Sequence, residues 1–357
     1  MKLNNAVVKR ISINGKQVAK LLLNINGISR EIYNIDNGDV IDGVNITINC
    51  DVDETKIYLC SIEEGQAYSG TVSEGKAVIK APAGNYYIIA QNDGYRDVFE
   101  ADPIEVSSSG LEYTMIKQLT AGKLFTDYHL QKEELLIDSI KDNPTDWLAF
   151  GQISDLHGQV VPALSDDGSK EITVNVDSTE ACFAHCNKII GRLSKLGVDA
   201  KFIIHTGDVI GRTSKGTQPS SERSNENYED LIENLEYIKK YQEAYSIKYD
   251  SKAIFVYSSG NHDARAYKVS GKTFDDALEY LSNYNKELTF ESNNTCSSYY
   301  LDENNSIIWF FPDMFGYTDG DTEKMSNVRD LIQSLKSRYP NYKWIFACHQ
   351  PIVNLWM

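Results

Sequence analysis

Hydrophobic and polar positions follow two rhythms along this chain, and the change between them falls near residue 147. Before it, the runs VVKRISI, KQVAKLLLNI, VNITINC, TKIYLCSI, GKAVIKA and YYIIAQ are short and rich in β-branched or aromatic residues. Turn signals such as NG, DNGD, EEG, SEG and NDG separate them. Short strands at this spacing predict an all-β, sandwich-like domain. We divide this half into a small β module over residues 1–40, a β-sandwich over 41–117 and a linker over 118–146. The linker holds one short polar helix near residues 128–141, and Asn143-Pro144 marks the turn after it.

From residue 147 to 357 strands alternate with helices. The runs WLAFGQIS (147–154), AKFIIHT (200–206), KAIFVYSS (252–259) and YKWIFACHQ (342–350) lack polar alternation. Strands buried on both faces read this way. Between them, residues 179–197, 225–247, 273–288 and 323–339 carry the apolar spacing of helices. The predicted class is α/β, a layered β-sandwich flanked by helices and preceded by the all-β domain.

The net charge of −16 is shared evenly. Residues 1–146 hold 14 Lys and Arg against 22 Asp and Glu, and residues 147–357 hold 21 against 29, so each half carries −8. Neither half offers the basic surface that non-specific nucleic-acid binding needs, which weighs against a nuclease. No run approaches a membrane-spanning length, and the basic N-terminus lacks the apolar run of a secretory signal. The expected location is therefore cytoplasmic, with a phage particle as the alternative. Six cysteines are too scattered for a disulfide framework. Cys182, His185 and Cys186 mimic a zinc cluster, but their spacing is that of one helix face, and a packing role is the simpler reading.

The chemistry lies where the apolar runs stop. The first ends in Asp155-Leu156-His157, the second in Gly207-Asp208, the third in Gly260-Asn261-His262-Asp263 and the fourth at His349. Ligands of open α/β sheets bind beyond the carboxyl ends of the strands. Asp155 and His157, two apart on an extended strand end, can face one ion, and a carboxylate such as Asp208 can serve two. For Asp155, Asp208 and Asn261 an ordinary turn residue is the bland reading, and for His349 a hydrogen-bonded core histidine. His205 reads as structural, and His129 carries no signal.

SDLHG (154–158), GDVIG (207–211), GNHD (260–263) and His349-Gln350-Pro351, in this order, resemble motifs one to four of the calcineurin-like metallophosphoesterases. The resemblance covers residues 147–357. It implies hydrolysis of phosphate monoesters or diesters by a hydroxide activated between two divalent ions, Mn²⁺, Fe or Zn²⁺. It also implies that Asp155 and His157 bind the first ion, Asp208 bridges, and Asn261 and His349 bind the second. His262 would be the catalytic proton donor, oriented by Asp263. Arg212, four residues after Asp208, stands where the protein-phosphatase branch places a phosphate-binding arginine.

The family's fifth motif, Gly-His-x-His, does not occur in the sequence, which ends at Met357. The expectation is a fragment or a truncated domain that lacks strands of its second sheet. The rival function is a catalytically weak or inactive binding or structural protein, such as a phage-virion component, that uses the truncated domain as a scaffold. In the first half, GKAVIKAPAGNYYIIAQNDGY (75–95) resembles carboxypeptidase-regulatory-like and PEGA-type β-sandwiches. The opening VKRISINGKQVAKLLLNINGI resembles N-terminal modules of phage tail proteins. These likenesses imply a spacer, or a module that docks a protein or carbohydrate partner. The long polar stretches 158–178 and 211–227 are expected to rim the site and influence substrate choice.

Overall fold

The computed structural model describes residues 43–122, 131–157, 179–210, 228–291, 295–312 and 326–349, together with the backbone of the other strands and helices named here. Three antiparallel hairpins open the chain: β1 (Lys2–Leu3) with β2 (Ala6–Val7), β3 (Ser12–Ile13) with β4 (Lys16–Gln17), and β5 (Lys20–Ile25) with β6 (Ile28–Asn34).

Seven strands follow: β7 (Val44–Asn49), β8 (Lys56–Ser61), β9 (Ala67–Thr71), β10 (Lys76–Ala81), β11 (Gly84–Gln91), β12 (Val98–Val106) and β13 (Leu111–Thr114). They form two sheets, ordered β10–β7–β13 and β12–β11–β8–β9. Strand β10 shows why the sequence pairs this way. Ala77, Ile79 and Ala81 are buried, while Lys76, Val78 and Lys80 face out. Strand β11 instead is buried at every position from Tyr86 to Ala90. Tyr86, Ile88 and Ala90 enter the sandwich core, whereas Tyr87 and Ile89 enter a second core shared with the helices downstream.

The rest of the chain contains α1 (Asp127–Ile140), β14 (Leu148–Ile153), β15 (Gln159–Leu164), β16 (Glu171–Val174), α2 (Val176–Leu196), β17 (Asp199–His205), α3 (Tyr228–Tyr249), β18 (Ile254–Tyr257) and α4 (Asn261–Val269). It continues through α5 (Phe274–Tyr284), β19 (Thr289–Phe290), β20 (Ser298–Asp302), β21 (Ile307–Phe311), α6 (Thr322–Arg338) and β22 (Lys343–Phe346). A parallel sheet, β14–β17–β18, faces a four-stranded sheet, β19–β20–β21–β22. Phe202, Ile204 and Val256 of the first sheet meet Trp309 and Phe311 of the second. On the outer side Ile203 packs with α2 and α3, and α6 covers Ile308 and Phe310. Strand β17 is thus buried on both faces, which is why AKFIIHT shows no alternation.

The second sheet has four strands, and the fourth apolar run, 342–350, supplies its β22. One expectation is revised. The stretch after the first motif is not all loop, since β15 and β16 pair as a hairpin. No described helix is long and apolar enough to cross a membrane.

The seam between the two halves is well packed. On α3, Tyr237, Tyr241 and Tyr245 recur every four residues, and all three rings meet Phe99 of β12, Tyr241 at a centroid distance of 4.8 Å. The Tyr87 hydroxyl donates to Glu243 at 3.1 Å, and Lys117 Nζ donates to the Tyr237 hydroxyl at 3.1 Å. Lys248 Nζ is buried without a hydrogen-bond partner among the described residues and lies over the rings of Tyr58 (4.3 Å), Tyr249 (4.9 Å) and Tyr245 (5.7 Å). Burial pulls its pKa down to about 8.

A continuous core should make the halves unfold together. All four tryptophans lie at or beyond residue 147, so their fluorescence reports the second half alone. Phe99→Ala, in the sandwich, is expected to cost about 3–5 kcal/mol and to lower the urea midpoint seen by tryptophan. A tryptophan transition unmoved by Phe99→Ala would show that the halves are energetically separate.

Candidate metal centre

At the carboxyl ends of β14, β17 and β18 the chain makes three tight turns, and His349 arrives beside them from the end of β22. Three of the residues presented there, Asp155 (φ 54°), His157 (φ 44°) and Asp208 (φ 53°), have left-handed backbones. Such conformations are uncommon outside glycine and are retained where the surroundings impose them. Here a web of hydrogen bonds does so. Asp155 N donates to Gly207 O at 3.1 Å, and His157 N donates to Asp208 O at 3.0 Å.

Glycine is required at two points. A Cβ on Gly207 (φ +100°) would lie 2.1 Å from Gly260 N, and one on Gly260 would lie 2.2 Å from Asp208 Oδ1. The two backbones touch, and only residues without side chains permit that contact. Helix α4 starts at this contact. The Asp263 carboxylate, fully buried, accepts from Gly260 N at 3.0 Å, Val209 N at 3.0 Å and Ile210 N at 3.4 Å. Burial raises its pKa to about 6. These donors make Asp263 a brace between the second and third turns.

The side chains converge on Asp208, whose carboxylate is 4% exposed. His349 Nε2 lies 3.2 Å from Asp208 Oδ2 and 3.1 Å from Asn261 Oδ1. His157 Nε2 lies 3.7 Å and His262 Nε2 3.9 Å from the same Asp208 oxygen. Asp155 reaches both sides of the cluster, with Oδ1 3.9 Å from His157 Nε2 and Oδ2 4.0 Å from His349 Nδ1. Two groups with ligand atoms mutually within 4.8 Å result: His157, Asp208 and His262, and Asp155, Asp208 and His349. Asp208 is common to both.

This set suits a divalent cation. Two carboxylates, an amide oxygen and three imidazoles bring candidate ligand atoms close together, and His349 Nδ1 is buried with no hydrogen-bond partner among the described residues. Burial alone would raise the pKa of Asp208. The hydrogen bonds from the His349 ring and from His262 N, the latter 2.9 Å long, bring it below the usual carboxylate range. The bond to Asp208 in turn raises the pKa of His349. Ser154 Oγ donates to Asp155 Oδ2 at 2.6 Å and orients that carboxylate.

Asp155, His157, Asp208, Asn261, His262 and His349 are thus brought together, with Asp263 beneath them. Arg212 lies outside the described residues, as do Gln350 and Pro351. Sequence reasoning gave His205 no part in the site, yet its Nδ1 accepts the Gly207 N–H at 3.1 Å. Its place two residues before Gly207, on the face of β17 shared with Ile203, is the signal that could have found it. Burial pulls the His205 pKa down to about 3, against roughly 6.5 in an unfolded chain. Between these values the unfolded chain binds a proton that the native ring refuses. This contribution to stability is therefore fully present above pH ~6.5 and is lost as pH falls, at up to about 1.4 kcal/mol per unit. Urea midpoints of metal-free protein should drop more steeply from pH 6.5 to 5 in the wild type than in His205→Phe. Equal slopes would contradict this assignment.

Comparison with curated proteins finds no match. Among solved structures, a chain of the type II cohesin–X–dockerin complex (an N-terminal interface mutant) from Acetivibrio cellulolyticus matches at 16% identity. That match covers 38% of this chain and 81% of the other, with a TM-score of 0.20, and carries no argument. The profile of the calcineurin-like phosphoesterases matches residues 148–354, more than half of the chain. With its ligand-rich turns at the ends of the parallel strands, the chain belongs to the calcineurin-like phosphoesterase family.

Proposed function

We propose that this chain hydrolyses phosphate esters with two divalent ions held on either side of Asp208. The observation that supports the reading is that Asp208 belongs to both clusters of candidate ligand atoms, beside His157 in one and beside Asp155 and His349 in the other. His157 and Asp208 would hold one ion, and Asp208, Asn261 and His349 the other, with Asp155 within reach of both. When bound, such ions polarise a phosphoryl oxygen and lower the pKa of water. Oxygen and nitrogen donors together favour Mn²⁺, Fe or Zn²⁺ over softer ions.

The other steps belong to side chains. His262 stands beside the His157 ring at a centroid distance of 4.8 Å and is 21% exposed, so it borders the cluster and still reaches solvent. There it would bind a phosphoryl oxygen and deliver a proton to the departing alkoxide. Asp263, tied to three backbone N–H groups, would fix the α4 start that carries Asn261 and His262.

Two measurements test this reading. With Mn²⁺ supplied, the chain should hydrolyse chromogenic phosphate monoesters or diesters. Chelator should abolish turnover, and Asp208→Ala should lower kcat/KM on the order of 100-fold or more. Turnover indifferent to chelator and to Asp208→Ala would overturn the metal mechanism. His262→Ala is expected to lower kcat by about 10²–10⁴-fold with unchanged metal content, and more for an alkyl than for a nitrophenyl leaving group. A loss of bound metal in His262→Ala would instead make His262 a ligand.

A further inference from the structure

His205 ends β17 on the side of the sheet that faces the helices, below the ligand cluster and out of contact with solvent. Its ring stacks on Phe183 at a centroid distance of 6.4 Å and an interplanar angle of 11°, and lies 6.0 Å from Tyr257. Phenylalanine or leucine would fill such a space without polar atoms. Burial keeps the ring neutral, so one nitrogen is an acceptor and the other a donor. Because Nδ1 accepts from Gly207 N, the proton must sit on Nε2. Nε2 is buried with no hydrogen-bond partner among the described residues. The fold therefore tolerates an unsatisfied donor, which is unfavourable, and its visible return is the bond to Gly207.

That bond fixes the Thr206–Gly207 peptide, which leads into the turn from which the site hangs. Gly207 N is fixed by His205, and Gly207 O holds Asp155 N. The next carbonyl, Asp208 O, holds His157 N, and Asp208 Oδ1 holds His262 N. Displacement of Gly207 would disturb Asp155, through its carbonyl, and the adjoining Asp208 with His157. The Gly260 backbone closes the other side and leaves no room for relaxation in that direction.

We infer that His205 is a positioning residue, which sets the Gly207–Asp208 turn from beneath through its Nδ1 and thereby sets metal affinity without touching metal or substrate. This rests on the proposed role of Asp208 as the shared ligand. Two substitutions separate acceptor from bulk. His205→Phe keeps the stacked ring and removes the acceptor. His205→Asn gives up the ring and keeps an oxygen about where Nδ1 stands.

Mn²⁺ titrations followed by the EPR signal of the free ion would be run on the full chain, wild type and both variants, with Asp208→Ala as reference and thermal midpoints alongside. His205→Phe is expected to bind Mn²⁺ about 10–100-fold more weakly at a midpoint equal to or above that of the wild type. His205→Asn should recover most of the affinity despite a lower midpoint. A packing residue would move affinity and midpoint together. Wild-type affinity in folded His205→Phe, or no recovery in folded His205→Asn, would overturn the inference. A wild-type chain that binds Mn²⁺ no better than Asp208→Ala would overturn the metal reading along with it.

Discussion

The contact between the backbones of Gly207 and Gly260 is the constraint on which the rest of the structure depends. At that distance a single Cβ on either residue would collide with the opposite turn. Because the turns touch, Asp208 projects into the space between Asn261 and His349. Hydrogen bonds to Gly207 O and Asp208 O tie the left-handed Asp155 and His157 to this turn, where Asp208 is left-handed as well. Strain of this kind persists only where the surroundings over-determine it. Asp263 and His205, both fully buried, brace the turns from two sides. A ligand set fixed by peptide groups needs little reorganisation on binding cations, which is what electrostatic preorganisation means for such a site.

The layers outside the site serve the same end. β17 is gripped on one face by Trp309 and Phe311 of the second sheet and on the other by α2 and α3. Helix α3 is itself held from beyond, by Phe99 and Tyr87 of the sandwich. The sandwich is thus joined to the catalytic half through one of its sheets, while the β10–β7–β13 sheet presents Val78 and its neighbours outward. Any partner of the sandwich would have to use surface other than the seam.

Much of this was legible in the sequence because burial on two faces leaves a plain mark. The unbroken apolar runs of β17 and β18 announced strands buried on both faces, whereas β14, at the sheet edge, is only partly buried with Phe150 exposed, and the abrupt polar ends of all three announced the site. Helices α2, α3, α5 and α6 were equally plain from their periodicity. What was hidden depends on contacts between distant residues. Nothing local to 342–350 distinguishes a strand of the first sheet from one of the second, since both are buried in the same core. Tyr87 falls in an ordinary strand run and Phe99 in none of the runs that mark strands, and only the tyrosine stripe on α3 supplies the partner of Phe99. The tasks of Asp263 and His205 were invisible for a related reason. Each acts on backbone N–H groups, which every sequence has, so no residue type marks the partner.

The central claim is that Asp208 lies between two cation positions. Anomalous diffraction from crystals soaked in Mn²⁺, recorded at an energy where manganese scatters anomalously, tests it most directly. Two peaks about 3.5–4 Å apart and flanking the Asp208 carboxylate, one toward His157 and one toward His349 and Asn261, are the expected result. A single peak away from Asp208, or none at saturating Mn²⁺, would contradict it.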